Sequence, residues 1–93
     1  MRPRITISRN QDGEIEIWLN EAGRDLFVRE LNALGESNDH FHLTSDDVVS
    51  GVLLSGIPYR DTDQVFEWGK VLFRPDAWDK KYYPHVLDAA DTS

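Results

Sequence analysis

Cysteine is absent from the 93 residues of this chain. The absence excludes disulfide bonds and thiolate chemistry, and it fits a reducing compartment. Long apolar runs are also missing, because no stretch approaches the ~20 residues that a helix needs to span a bilayer. The basic start at residues 1–4 is not followed by the apolar segment of a secretory signal. We therefore expect a cytoplasmic protein that does not use a membrane as a partner.

Basic residues are outnumbered by acidic ones. Ten Lys and Arg against 17 Asp and Glu give a formal net charge of −7. Such a surface repels phosphate backbones, so we expect no direct binding to nucleic acid. It would suit a basic protein partner, although a net negative charge is also a common route to solubility.

The familiar catalytic motifs are missing as well. The sequence contains no nucleophile elbow, no phosphate-cradling glycine loop and no HExxH helix. Glu14 and Glu16 share one face of a predicted strand and so resemble paired carboxylates, but alternating glutamates on an open sheet face are usually only solvated. We predict that the protein is not an enzyme and needs no cofactor.

Alternating apolar and polar residues predict a hairpin at the start of the chain. Residues 4–9 and 14–19 form its two strands, and Asp12-Gly13 is a strong turn signal between them. The second strand is expected to turn one face to the core and the other to solvent. The inward residues are Ile15, Ile17 and Leu19, and the outward residues are Glu14, Glu16 and Trp18.

A helix is predicted next, from the N-cap Asn20 to Gly35, which suits the position after the helix end. Gly23 weakens the first turn, and we attribute it to a close approach between helix and sheet. Apolar residues at helical spacing form one stripe. They are Ala22, Leu26, Phe27, Leu31 and Leu34.

Three further strands are predicted, at residues 39–43, 48–55 and 65–73. Gly51 marks a bulge in the second of them. The third is apolar on both faces, which indicates either a central position or a second face that is also covered. An aromatic segment at residues 75–87 begins with a turn into a short helix, and residues 88–93 are expected to fray. The fold class is therefore α+β: a mostly antiparallel sheet in ββαβββ order, with one main helix on one face and a short aromatic C-terminal segment, in a single domain of residues 1–93.

Two histidines form the most chemically suggestive pattern. Within residues 39–43, His40 and His42 fall on one face, and Phe41 and Leu43 fall on the face expected against the helix. A His-x-His pair on a strand has a spacing that zinc, copper or iron can use, but the sequence supplies no certain third ligand. The alternatives are that the pair hydrogen-bonds to Glu14, Glu16 or a tyrosine, or that it belongs to a protein-binding surface.

Tryptophan and tyrosine are enriched in binding hot spots, and Trp18 stands on the outward face of its strand. Either the C-terminal segment packs over its ring, or the ring binds a partner. The partner-binding candidates of this chain combine the aromatic residue, the histidines and nearby carboxylates. They are Trp18, Glu14, Glu16, His40, His42, Asp46, Asp47, Asp61 and Asp63.

Three stretches together resemble the immunity protein 32 family of bacterial polymorphic-toxin systems. The stretches are Ile15-x-Ile17-x-Leu19-Asn20-x-x-Gly23, the run Leu26 to Leu31 to Leu34, and Asp39-His40-Phe41-His42-Leu43. The resemblance covers roughly the first half of the chain. It implies a cytoplasmic, non-catalytic protein that binds and neutralises a cognate toxin domain. The net negative charge of the chain makes a basic nuclease one candidate for that toxin. The alternative function is a small metal-binding protein or metal-dependent enzyme built on His40 and His42, and the chain is either a monomer or a homodimer.

Overall fold

The computed structural model describes residues 1–48 and 50–91, without the side chains of residues 88–91. The chain forms short strands and helices in α+β order, as predicted. The elements are β1 (Ile5–Arg9), β2 (Ile15–Leu19), α1 (Glu21–Asn32), β3 (His40–Thr44), β4 (Val52–Leu53), β5 (Gln64–Val65), β6 (Trp68–Leu72), α2 (Asp76–Tyr82) and α3 (Pro84–Asp91). Of the helices in the described ranges, none has the length and apolar character needed to cross a membrane.

The strands form two sheets rather than one. In the part of the chain that the structure describes, each sheet has three strands, in the orders β2-β1-β5 and β4-β3-β6. Strand β3 pairs with β4 in parallel, and the other pairs are antiparallel. The predicted ββαβββ order is roughly matched, but the single sheet is corrected to two small ones.

The predicted central strand at residues 65–73 is broken into β5 and β6. The N–H of Phe66 donates to the carbonyl of Ile7 in β1, whereas the carbonyl of Glu67 accepts from Ser45 beside β3. The chain therefore passes from one sheet to the other between these two residues. Residues 65–73 are apolar on both faces because the segment crosses between the sheets in this way. Both β5 and β6 lie at sheet edges.

The strand predicted at residues 48–55 is reduced to the two residues of β4. Gly51 has a φ of 151°, which only glycine adopts readily, and its α-carbon passes close to the carbonyl of His42. Because of this irregular backbone, the pairing with β3 begins only at Val52. Val49, which the strand prediction also included, lies outside the described residues.

The hairpin of β1 and β2 is confirmed, with Ile7 opposite Ile17 and a turn in which Gly13 donates to the carbonyl of Asn10. The predicted inward face of β2 is wrong. Ile15, Ile17 and Leu19 are 65%, 54% and 42% exposed, respectively. Leu26 and Phe27 of α1 pack against the core that contains the fully buried Ile5, but the aliphatic row of the edge strand β2 stays open to solvent.

Asn20 joins the start of α1 to β1, as its predicted N-cap role requires. Its side-chain oxygen accepts from the N–H of Gly23 at 2.7 Å and from the N–H of Arg4 at 2.9 Å. The helix ends at Asn32, before the predicted Gly35, and Leu31 from the predicted apolar stripe is exposed. The close approach expected at Gly23 is present, because a β-carbon there would clash with the carbonyl oxygen of Arg4.

The C-terminal segment forms its own aromatic cluster. The ring of Trp78 lies 4.7 Å from the ring of Tyr82 and 5.5 Å from that of Tyr83, measured between centroids. Helix α3 continues to Asp91, and residues 92 and 93, at the end of the segment predicted to fray, lie outside the described residues.

The buried core is small for a chain of this length. Among the described residues its apolar members are Ile5, Phe41, Leu43, Val52 and Leu54. The accessible surface is 6947 Å², whereas a compact monomer of this mass exposes about 5,500 Å². The radius of gyration is 15.6 Å, against about 12 Å expected for the chain length. The fold therefore leaves open a large surface that a compact protein would bury.

Candidate functional site

The two histidines lie on an open face of the second sheet. In the register of β3 and β6, His40 is opposite Leu72, His42 is opposite Lys70 and Thr44 is opposite Trp68. Directly opposed residues project from the same side of a sheet. We call this surface the histidine face. It comprises His40, His42, Trp68, Lys70 and Leu72.

The other side of the same sheet faces the core. Phe41 and Leu43 are buried there, and Phe41 packs edge-to-face against Phe27 of α1. The predicted alternation of β3 is thus confirmed, with both histidines exposed. Trp68 is 67% exposed, an unusually large exposure for a tryptophan ring.

The histidine rings lie against each other. Their centroids are 5.0 Å apart, with the planes perpendicular. Nδ1 of His40 donates to a carboxylate oxygen of Asp39 at 2.7 Å, and the other carboxylate oxygen of Asp39 lies 3.2 Å from the guanidinium of Arg74. The hydrogen bond from His40, supported by the positive charge of Arg74, lowers the pKa of the Asp39 carboxyl. Asp39 therefore stays ionised and fixes the orientation of the His40 ring.

Arg74 connects the end of the second sheet with α2. Its guanidinium donates to the carbonyl of Phe73 and lies 4.7 Å from the centre of the Trp78 ring. A cavity of about 340 Å³ adjoins these side chains, and Asp39, Lys81 and Tyr82 also line it. The sequence analysis did not anticipate this arrangement, because Arg74 and Asp39 are far apart in the chain.

Trp18 belongs to a separate cluster on the first sheet. Its ring stacks on Tyr59 at 4.0 Å, with an angle of 11° between the planes, and its indole N–H donates to Ser8. The guanidinium of Arg60 lies 5.2 Å from the centre of the Trp18 ring. Tyr59, from the loop before β5, thus covers the ring, and the expectation that the C-terminal segment packs over it is wrong.

Arg60 also neutralises the carboxylates around Trp18. It donates to both carboxylate oxygens of Glu16, at 2.7 and 3.2 Å, and to Asp63, whose side chain is shielded from solvent. The hydrogen bonds from Arg60 lower the pKa of Glu16, and these carboxylates raise the pKa of Arg60. Such a bidentate pair holds the loop on the sheet.

The remaining predicted residues lie in loops or turns. Glu14 accepts from the side chain of Asn10, Asp46 accepts from the N–H of Val48, and Asp47 and Asp61 are exposed. The alternative in which His40 or His42 bonds to Glu14 or Glu16 is wrong, because His40 bonds to Asp39 and the two glutamates bond to Asn10 and Arg60.

The predicted site residues are thus divided between two sheets. His40 and His42 belong to the second sheet. Trp18 and Glu16 belong to the first, where Glu14 directly precedes β2 and Asp63 is joined to Glu16 through Arg60. The sequence analysis missed Trp68, Lys70 and Leu72 as neighbours of the histidines. Their alternation in residues 65–73 was a usable signal, but the pairing of that segment with β3 was not readable.

Comparisons with protein-family models, with curated proteins and with solved structures found no significant match. Among the side chains that the structure describes, residues 1–48 and 50–87, no group of three or more His, Asp or Glu is arranged to hold a metal ion. Chemically, the histidine face offers an aromatic anchor, two imidazoles and one ammonium group on an open sheet.

Proposed function

We propose that this chain is a non-catalytic immunity protein, which binds and neutralises a cognate bacterial toxin domain through its histidine face. The observation that carries the proposal is the exposure of Trp68, two thirds open to solvent on a regular strand. Tryptophan is enriched among the few residues that dominate binding energy at protein interfaces. An uncovered tryptophan on a flat sheet face favours a protein partner over a small molecule, which needs a concave site.

The neighbours of Trp68 strengthen this proposal. Leu72 adds exposed apolar area, and His40 and His42 present amphipathic rings beside it. A binding surface typically combines an apolar, aromatic centre with a polar rim. Lys70 adds an ammonium group between Trp68 and Leu72, and the Asp39 carboxylate supplies a polar group beside His40 at the border of the histidine face.

The charge of the chain indicates the kind of partner. With a net charge of −7, the protein attracts a basic domain and repels an acidic one. Asp46 and Asp47 lie directly after β3, close in the chain to the histidines. Electrostatic attraction of this kind mainly accelerates association and weakens as salt is added. A basic nuclease is a toxin of suitable charge, and the sequence resemblance to the immunity protein 32 family implies a toxin domain as the partner.

Calorimetry against the C-terminal domain of any large protein encoded beside this chain would test the proposal. We expect a 1:1 complex that weakens with salt and abolishes toxicity. Trp68→Ala should lower the affinity at least about 30-fold, the ~2 kcal/mol of a hot spot. Ile57→Ala is the matched control, since Ile57 is also exposed but lies on the loop before β5. The proposal is wrong if the domain does not bind, or if both variants bind like the wild type.

A second candidate function is metal binding by His40 and His42. The carboxylate of Asp39 on Nδ1 of His40 resembles the outer-shell contact that orients metal-ligating histidines. Two imidazoles would supply only part of a coordination shell, leaving the other positions to water or to a second molecule.

Titration with zinc and copper would distinguish the two functions. A metal site predicts one equivalent bound, lost in the double variant His40→Ala/His42→Ala and retained in Trp68→Ala. Binding no tighter than to a control protein with two unrelated surface histidines would remove this candidate.

A further inference from the structure

We propose that two copies of this chain pair through β2, in antiparallel orientation and about a two-fold axis at Ile17. The two sheets would then form one continuous sheet in the order β5-β1-β2-β2-β1-β5. The starting observation is the position of β2 at the edge of its sheet, with a row of exposed aliphatic side chains. This surface is separate from the histidine face.

The backbone of β2 is oriented for such pairing. The N–H of Asn20 donates to Arg4, and the N–H of Asn10 donates to Glu14, which marks both residue pairs as hydrogen-bonded. Hydrogen-bonded and non-hydrogen-bonded pairs alternate along an antiparallel ladder. The pairs Ile5–Leu19, Ile7–Ile17 and Arg9–Ile15 are therefore non-hydrogen-bonded. The N–H and C=O groups of Ile15, Ile17 and Leu19 accordingly point to the free edge of β2.

A two-fold axis at Ile17 gives each of these free N–H and C=O groups a hydrogen-bond partner in the second copy. Ile17 opposes Ile17 of the second copy, and Ile15 opposes Leu19 in both directions. Each of these would be a hydrogen-bonded pair, so that about six new backbone hydrogen bonds form. The register follows from the chain itself, because the same three residues supply the donors and acceptors on both sides.

The side chains select this register over its neighbours. With the axis at Ile17, the exposed aliphatic rows of both copies join on one face. On the other face Trp18 opposes Glu16, whose charge Arg60 already compensates, and Glu14 opposes Asn20. Moving the axis to Glu16 would place the two Glu16 carboxylates directly opposite each other, which is destabilising.

Natural edge strands usually have a feature that prevents them from pairing with another chain, such as a charged side chain, a proline, a bulge or a very short length. Strand β2 has five regular residues without lysine or proline, and its one charged residue, Glu16, is already paired with Arg60. By contrast, β5 at the opposite edge of the same sheet has two residues. The lack of protection on β2 is consistent with an edge that is covered in the native assembly.

The surface of the chain is large enough for a stable dimer. The accessible area of 6947 Å² exceeds that of a compact monomer by about 1,400 Å². A standard interface removes about 800 Å² from each partner. The self-complementary register identifies a second copy as the partner that would cover β2.

Light scattering on the full chain, without toxin, tests the dimer independently of the proposed function. We expect twice the chain mass of 10.7 kDa. Ile17→Lys should yield the monomer, because the axis would bring two ammonium groups together, whereas Ile57→Lys on the exposed loop should remain a dimer. A monomeric wild type at high micromolar concentration would overturn the proposal, and so would a dimeric Ile17→Lys variant.

Oxidative cross-linking tests the register even if a lysine variant does not fold. The chain has no native cysteine. In a hydrogen-bonded pair the two α-carbons lie ~5.5 Å apart, within the range of a disulfide. Ile17→Cys should therefore cross-link efficiently between copies. In Ile15→Cys, the matched control, the two thiols would be separated by roughly 13 Å along the strands, and cross-linking should fail. Equal cross-linking of both variants, or of neither, would refute the register.

Discussion

Replacing Gly23 with alanine separates two physical effects of opposite sign. Gly23 lies in the first turn of α1, where helix propensity alone predicts that alanine stabilises the protein by up to ~1 kcal/mol. The structure predicts the reverse. An added β-carbon would clash with the carbonyl oxygen of Arg4 and would lie 3.0 Å from the side-chain oxygen of Asn20.

The clash with Arg4 is difficult to relieve. The contacting atom is a backbone oxygen that also accepts from the N–H of Asn20, so it cannot rotate away like the end of a flexible side chain. Helix α1 would have to move away from β1, which strains the hydrogen bonds of Asn20 to Arg4 and Gly23. Overpacking of this kind costs about 1–3 kcal/mol. Together with the strained hydrogen bonds, it outweighs the gain in helix propensity.

We therefore expect Gly23→Ala to lower the free energy of unfolding by about 1–3 kcal/mol, and the melting temperature by about 5–20 °C for a domain of this size. Urea denaturation, monitored by circular dichroism, would measure the change in the free energy of unfolding. All variants should be compared at one protein concentration, because association shifts the apparent stability. Gly35→Ala is the control, because none of the described atoms lies within 4 Å of its added β-carbon. This substitution should leave the free energy of unfolding unchanged or raise it by up to about 1 kcal/mol. A Gly23→Ala variant as stable as the wild type would refute the argument.

The stacking of Tyr59 on Trp18 and the lowered pKa values of two carboxyl groups lead to two further predictions. Tyr59→Ala should destabilise the protein by at least about 0.5–1.5 kcal/mol through the lost stacking on Trp18; a urea midpoint equal to that of the wild type would contradict the packing role of this loop. The pKa values of Glu16 and Asp39 are lowered in the folded state from 4.5 and 3.8, so the unfolded state binds more protons in acid. Their stabilisation is present above these ordinary values and is lost as the pH falls through and below them. Glu16→Gln should therefore show a shallower loss of stability in acid denaturation than the wild type; an equally steep loss would show that the pairing with Arg60 contributes nothing.

Local patterns in the sequence sufficed for several features of the fold. The hairpin was predictable because alternation and the Asp12-Gly13 turn act within a few residues. The N-cap role of Asn20 was predictable for the same reason, and the close approach at Gly23 followed from the cost of glycine in a helix. The alternation of His40 and His42 with Phe41 and Leu43 likewise depends only on the geometry of one strand.

The candidate site was only half predictable. The two histidines were identified from the sequence, but Trp68 and Leu72 join them through the register of β3 and β6, which links distant segments. Glu16 was grouped with the histidines although it belongs to the other sheet, where Arg60 neutralises it. Ion pairs between residues far apart in the chain have no signature in local periodicity.

The sequence by itself determined where the main strands and helix form, because those patterns are set by neighbouring residues. The tertiary structure decided which faces are covered. Alternation shows that Ile15, Ile17 and Leu19 share a face, but only the packing of the assembled elements leaves that face open. In the same way, the segment at residues 65–73 has two apolar faces because it crosses between sheets, and that crossing depends on its hydrogen bonds to Ile7 and Ser45. Burial and pairing are properties of the assembled elements, so they arise only when distant parts of the chain meet.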